Sequence, residues 1–242
     1  KRLKKDISKR LSIKKLGGLD MDTKNKIPGV SFVKRNIGTI IGLILLVIIV
    51  SISTPKFLTS SNILNLLKSN SVNAIISCGM LMAILMGEID ISVGSTVGLS
   101  GIIGAYMITN VGLPVVPTVF ICLGVGALVG IVNGVAISYL KVPAFVATLA
   151  TQSIGRGLTE IISGGVTIRV RNTGYTALGN QNVAGIPVII IYAAAVLIFT
   201  WLLLNRTRFG YYIYALGGNK LAAQYSGVNV KTYNMLPFFL IG

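Results

Sequence analysis

Apolar runs long enough to cross a membrane recur along this sequence, one after another, and few charges interrupt them. A bilayer core needs about 20 apolar residues per helix. Six such spans are predicted: residues 37–53, closed by Thr54 and Pro55; 72–87, preceded by an interfacial helix starting near Ser61; 93–108; 115–140, bracketed by Pro114 and Pro143; 144–162, the most polar; and 186–204. A seventh begins near Met235. The expected fold is therefore all-α, a polytopic transmembrane helix bundle with at least six spans. Several spans are short and interrupted by glycine, which predicts broken or tilted helices sheltered inside the bundle. A secretory signal would supply one short apolar run and no more.

Composition agrees. Hydrophobic residues make up 53% of the chain and charged ones 12%, against about 25% charged in a soluble domain. The net charge of +16 does not form a spread basic surface of the kind that binds nucleic acid. Twelve of the 22 basic residues lie between Lys1 and Arg35, together with Asp6, Asp20 and Asp22. Residues 1–35 are thus expected to be a cytoplasmic tail touching anionic headgroups, and 36–242 the membrane domain. Cys78 and Cys122 sit in apolar runs, without CxxC spacing and in a chain without histidine. They are expected to be small packing residues, with no metal site, redox pair or bound cofactor. The chain opens at Lys1 and stops at Gly242 within a new apolar run, so a further C-terminal portion is expected.

With the N-terminus in the cytosol, the tail, Lys141, Arg206, Arg208, Lys220 and Lys231 face inward, and Lys56, Arg169 and Arg171 face outward. The bias sets the orientation. The inward connections are then residues 87–92, 140–143 and the long 205–233 segment.

Glu88 and Asp90 are the conspicuous acids, flanked by apolar runs. Carboxylates near membrane depth are costly and are candidates for function. As general acid and base they need a nucleophile or metal, and none is visible. As structure, Asp90 or Ser92 would cap the helix beginning near Val93; Glu88 has no such simple account. Arg156 and Glu160 are four apart in the fifth span and share a face. They are read either as an intramembrane ion pair or as part of a pathway lining with Thr151, Gln152 and Thr159. Gly126, Gly130 and Gly134 form a small-residue stripe that lets another helix approach, with Asn133 beside it to bond across helices. In the 205–233 segment, Gly217-Gly218 is expected to break the chain. Residues 221–225 then form a short helix stopped by Gly227, able to dock a soluble partner. The glycine pair lacks the GxxxxGK[ST] pattern of a phosphate loop.

These residues resemble a known family. Gly87-Glu88-Ile89-Asp90-Ile91-Ser92-Val93-Gly94-Ser95 is similar to the GGIDLSVGS stretch of ribose-type permeases of ATP-binding cassette importers. Residues 215–228 resemble the family's A-x-GGN-x-x-AA-x-x-SG-[IV] cytoplasmic motif, residues 142–149 its VP-x-FI-x-TL element, and Asn133-Gly134 its NG pair. The chain departs at Glu88, where the family commonly has Gly or another small or polar residue. The resemblance implies a pathway formed with a second permease copy or paralogue. It implies that Gly217, Gly218, Asn219, Ala222, Ala223, Ser226 and Gly227 form the segment on which a cytoplasmic ATPase docks. It also implies an extracytoplasmic binding protein that delivers a monosaccharide such as ribose, with the 164–184 loop as its contact. ATP would be consumed by the partner, not by this chain, whose place is the cell membrane. Three rivals stand beside this reading. One is a different cargo in the same superfamily: a nucleoside, an autoinducer sugar or a branched-chain amino acid. The second is an ion-coupled secondary transporter, and the third an integral membrane enzyme using Glu88 and Asp90.

Overall fold

The computed structural model describes residues 36–242; the basic tail at 1–35 lies outside them. Two units result. In the first, the described residues 36–59 hold one apolar helix, α1 (Ile37–Ser53). The second, residues 60–242, is nearly all helix: α2 (Ser60–Leu85), α3 (Val93–Tyr106) running on into a π-helical turn (Met107–Val111), α4 (Val115–Ser138), α5 (Ala144–Ser163), α6 (Thr173–Asn180), α7 (Val188–Arg206), α8 (Arg208–Gly218), α9 (Lys220–Tyr225) and α10 (Val230–Ile241). A two-residue hairpin, β1 (Asn182–Val183) with β2 (Ile186–Pro187), precedes α7. Its turn residues, Ala184 and Gly185, both have positive φ, as a tight hairpin turn requires.

Among the described residues, α4 and α7 are both long and apolar enough to cross a bilayer, and α1 is a shorter apolar helix.

Prolines and left-handed residues set the ends. Pro114 and Pro143 stand at the N-caps of α4 and α5, where a missing N–H costs nothing. The second helix differs from expectation: one continuous helix of 26 residues replaces a span with a separate interfacial helix. Polar side chains along this stretch bond back to the helix itself. Asn70 and Ser71 donate to the carbonyls of Leu66 and Leu67 at 2.8 and 2.7 Å, and Ser77 to Asn73 at 2.7 Å. Satisfied in this way, they pass through an apolar stretch without breaking it. At its end Gly87 takes φ +77°, the Glu88 N–H bonds the Ala83 carbonyl and the Gly87 N–H the Ile84 carbonyl, the double closure that a left-handed glycine permits.

The 205–233 segment also differs. Gly217 and Gly218 complete α8 instead of breaking the chain, and the joint is Asn219, which ends α8 and caps α9 by accepting the Ala222 N–H at 3.0 Å. α10 starts at Val230 rather than near Met235, because Asn229 caps it by accepting the Thr232 N–H.

The densest apolar core lies at one end of the bundle. Met86, Ile137, Ala144, Ala147, Ile213, Leu216, Ala223 and Phe238 meet there, from α4, α5, α8, α9, α10 and the end of α2. The opposite end carries the turn at Gly112 and the 164–187 connection; there Lys68 of α2 reaches Asn180 at 3.0 Å.

Candidate functional site

The α2–α3 turn, the start of α9, the last turns of α4 and the first half of α5 meet beside this core. From Asp90 a chain of polar side chains runs through three helices. Asp90 Oδ1 accepts the Ser92 N–H at 2.8 Å and the Ser92 hydroxyl at 2.6 Å. Ser92 Oγ accepts from Asn133 Nδ2 at 2.9 Å, and Asn133 Oδ1 accepts the Thr151 hydroxyl at 2.6 Å. Each proton points toward the carboxylate, so every group in the series uses its donor and acceptor without conflict. Asp90 is 3% exposed, and Ser92 and Asn133 are 1% exposed. Polar groups this deep must be bonded, and a satisfied network fixes one arrangement of the helices that carry it.

The series alters the capping expectation. Ser92 occupies the N-cap of α3 but makes no side-chain cap bond. Asp90 holds Ser92 itself, two residues on, instead of bonding the helix's first turn. Ser92 in turn offers its carbonyl to Ser95 Oγ at 2.7 Å and Thr96 Oγ1 at 3.1 Å. Beside them Thr148 Oγ1 bonds the Ala144 carbonyl at 2.8 Å, and Gly155 lets α5 close on Ser95 of α3.

Glu88 forms an ion pair with Lys220, the first residue of α9. It is the one ion pair among the described residues, and it joins the α2–α3 turn to the segment with the second family motif. Gly217 sits against the Leu85 carbonyl, where a Cβ would collide with backbone. The end of α2 and the end of α8 therefore touch main chain to main chain. In α9, Ala223 is buried, whereas Leu221, Ala222, Gln224 and Tyr225 face outward, with Tyr225 90% exposed. Ser226 bonds back to the Ala222 carbonyl at 2.9 Å, and Gly227 ends the segment at φ +85°. The motif thus divides. Gly217, Asn219, Ala223 and Gly227 build the segment; Leu221, Ala222, Gln224 and Tyr225 present its surface.

The remaining residues singled out in the sequence lie elsewhere. Arg156 and Glu160 are exposed on α5 and, among the described residues, form no ion pair with each other. Glu160, Thr159 and Ser163 line a surface cavity of about 470 Å3 between α5 and α3. Gln152 is half-buried one residue beyond Thr151. A larger cavity, about 650 Å3, lies among α3, α4 and α6 toward the opposite end, with Thr96, Ser100, Tyr175 and Asn180 in its wall. The stripe of Gly126, Gly130 and Gly134 faces α10, and a Cβ at any of them would meet Gly242, Phe238 or Met235. The two cysteines are free.

A helical bundle with two apolar helices of membrane-crossing length and a buried polar series tying α3, α4 and α5 together fits a membrane protein. Residues 62–242 match the family described as branched-chain amino acid transport system / permease component, and the chain belongs to it. It is 41% identical over 209 residues to a ribose import permease of Haemophilus influenzae, covering 84% of this chain and 64% of the relative. It is 39% identical over 212 residues to the ribose import permease of Bacillus subtilis, covering 87% and 66%. A D-allose transport system permease of Escherichia coli is 35% identical over 199 residues, covering 82% and 61%. The chain therefore spans a little under two thirds of the length of these curated relatives. No solved structure matches it.

Proposed function

We propose that this chain is the pathway-forming permease subunit of an ATP-driven importer for a monosaccharide of the ribose type. In this reading it is multi-pass in the cell membrane, with a cytoplasmic N-terminus and six or more spans. It pairs with a second copy or paralogue and binds no cofactor of its own. A cytoplasmic ATPase supplies the energy, and an extracytoplasmic binding protein supplies the sugar. The relatives named for ribose import support the cargo. The observation that carries the mechanism is the division within α9. Leu221 and Tyr225 stand outward at 65% and 90% exposure, while Ala223 beneath them is 5% exposed. A small helix with an apolar outer edge and a buried base is a docking knob fixed to the bundle.

The mount explains how force would travel. Ile213 and Leu216 of α8 are almost wholly buried in the core, Gly217 touches the end of α2, and Glu88 holds Lys220. A push on α9 then moves α2 and the α2–α3 turn as one body. That turn carries Asp90 and Ser92, which are tied through Asn133 and Thr151 to α4 and α5. Rigid-body movement of packed helices is the usual form of such a switch.

The full-length chain, expressed with the ATPase and binding protein of its own operon, should lose uptake of radiolabelled ribose when Leu221 and Tyr225 are both changed to Glu. Membrane insertion and yield should remain normal, because both side chains are solvent-exposed. Wild-type uptake in that double variant would sink the docking reading. Uptake that persists after ATP depletion would instead favour an ion-coupled transporter.

A second expectation concerns the ion pair. Lys220 is 42% exposed but Glu88 only 17%, so Glu88→Lys or Lys220→Glu alone should lower stability, because an uncompensated charge is left partly buried. Each should also lower uptake several-fold by setting two like charges between the α2–α3 turn and α9. The double reversal, Glu88→Lys with Lys220→Glu, should restore uptake. Equal uptake in all four proteins would remove the pair from the coupling route.

A further inference from the structure

Where α4 ends and α10 begins, a cavity of about 470 Å3 opens on the surface. Its polar wall is made by Ser138, Lys141, Gln224, Asn229, Lys231 and Asn234. The two charges in this wall are both positive. Asn234 is 6% exposed; its Nδ2 makes only a long bond to Ser138 Oγ, at 3.4 Å, and its Oδ1 has no partner although it is shut off from solvent. A buried polar atom left unbonded costs about 1–3 kcal/mol, so the Asn234 amide gains by turning toward a donor that the chain does not supply. Lys141 adds a second cost: it sits at φ +58°, in the left-handed region that a side chain other than Gly or Asn rarely takes. Lysine stands where the backbone favours glycine, which points to a use for its ammonium group.

Depth then narrows the ligand. α4 is one of the helices apolar enough to cross a bilayer, so its end at Ser138 lies near headgroup level on whichever side it emerges. Lys231 Nζ stands 5.6 Å from the centre of the Tyr139 ring, and tyrosine is enriched at the membrane–water boundary. The ligand must offer negative charge to two ammonium groups and a hydroxyl to a buried carbonyl oxygen, and it must sit at the lipid boundary. We propose that this cavity holds the headgroup of an anionic, hydroxyl-bearing phospholipid of the phosphatidylglycerol type. The phosphate lies between Lys141 and Lys231, and the Asn234 amide turns out of its long contact with Ser138 so that Oδ1 accepts from a glycerol hydroxyl. A phosphatidylcholine headgroup has no hydroxyl to donate and would bring a quaternary ammonium group toward two lysines.

The inference needs α4 to cross the bilayer, but neither the sugar nor the ATPase. Its test follows thermal unfolding of the purified, delipidated full-length chain in detergent, titrated separately with dioleoylphosphatidylglycerol, dioleoylphosphatidylcholine, glycerol 1-phosphate and inorganic phosphate. Phosphatidylglycerol should raise the unfolding midpoint saturably, and the other three should do so weakly or not at all. Lys141→Gly is the informative variant. Glycine relaxes the backbone at that position, so the lipid-free midpoint should rise, while half-saturation by phosphatidylglycerol should shift to at least several-fold higher lipid. Lys231→Gln should shift half-saturation the same way, and Arg169→Gln, an equal loss of charge at an exposed position elsewhere, should not. Equal stabilisation by the two lipids, or unchanged half-saturation in both lysine variants, would overturn the site. Saturation by glycerol 1-phosphate at the same concentration would replace the lipid with a soluble phosphate ester. Because no transport is measured, failure here leaves the importer reading untouched, and failure of uptake leaves this one.

Discussion

Gly130→Leu is expected to abolish folded protein, whereas Gly124→Leu, less than two turns away on the same helix, should be tolerated. A Cβ at Gly130 would run into the Phe238 carbonyl oxygen and lie 2.9 Å from Phe239 Cα, both main-chain atoms of α10. Backbone packed at this distance cannot rotate aside as a side chain can. The added atoms therefore force α4 and α10 apart along their most extensive contact. Overfilling a packed interior usually costs about 1–3 kcal/mol, sometimes more, and a separated helix pair also forfeits the dispersion contacts along the seam. At Gly124 nothing lies within 4 Å of the added Cβ. Gly134→Ala should fall between the two, since the nearest obstacle is the flexible Met235 side chain, Cγ at 2.5 Å. Size-exclusion profiles of the full-length variants decide it. A monodisperse peak for Gly130→Leu as large as that for Gly124→Leu would show that the helices do not meet at the glycine stripe.

That stripe was readable because a small residue every fourth position has one physical meaning, close approach. Its partner was not, since nothing in the spacing of Gly126, Gly130 and Gly134 says which helix arrives. The same division runs through the fold. Pro114 and Pro143 mark the starts of α4 and α5 in the sequence because proline lacks the donor that a helix interior needs. The single long α2 was hidden: its first turns are too polar to read as a membrane span, and only the structure shows Asn70, Ser71 and Ser77 bonding their own helix. The joint at Asn219 was hidden for a related reason. Gly217-Gly218 carries the stronger turn signal, but Gly217 is needed for contact with Leu85 and is helical while making it.

Of the site, single residues were legible and their connections were not. Asp90, Ser92, Asn133 and Thr151 each stand out as polar groups in apolar surroundings. What joins them is tertiary: Ser92 and Asn133 are 41 residues apart, and Asn133 and Thr151 are 18 apart. Glu88 shows this most clearly. It breaks the family pattern and has no local partner, and its answer lies 132 residues on, at Lys220. In a chain with so few acids, an unexplained carboxylate beside a membrane span is itself a signal that a distant cation is coming to meet it.

The polar series gives the other large expected effect. Asp90→Ala should cut the yield of folded full-length protein sharply, whereas Asp90→Asn should retain most of it. Alanine removes the acceptor of two bonds at once, stranding the Ser92 N–H and hydroxyl in a place where water does not reach, at about 1–3 kcal/mol for each stranded group. Asparagine keeps a carbonyl oxygen where Oδ1 stands and gives up only the charge. Asn133→Leu should come close to Asp90→Ala, because it removes a donor to Ser92 and an acceptor for Thr151 together. Thr151→Val should be milder, since it strands only Asn133 Oδ1. The ranking is checked by thermal unfolding in detergent, with ribose uptake measured on the variants that fold. Two outcomes would move Asp90 out of the framework and into the transport cycle. One is full folded yield for Asp90→Ala with uptake gone; the other is Asp90→Asn folding normally but as inactive as alanine. In either case the carboxylate's charge, and not its place as a hydrogen-bond acceptor, would be what the chain retains it for.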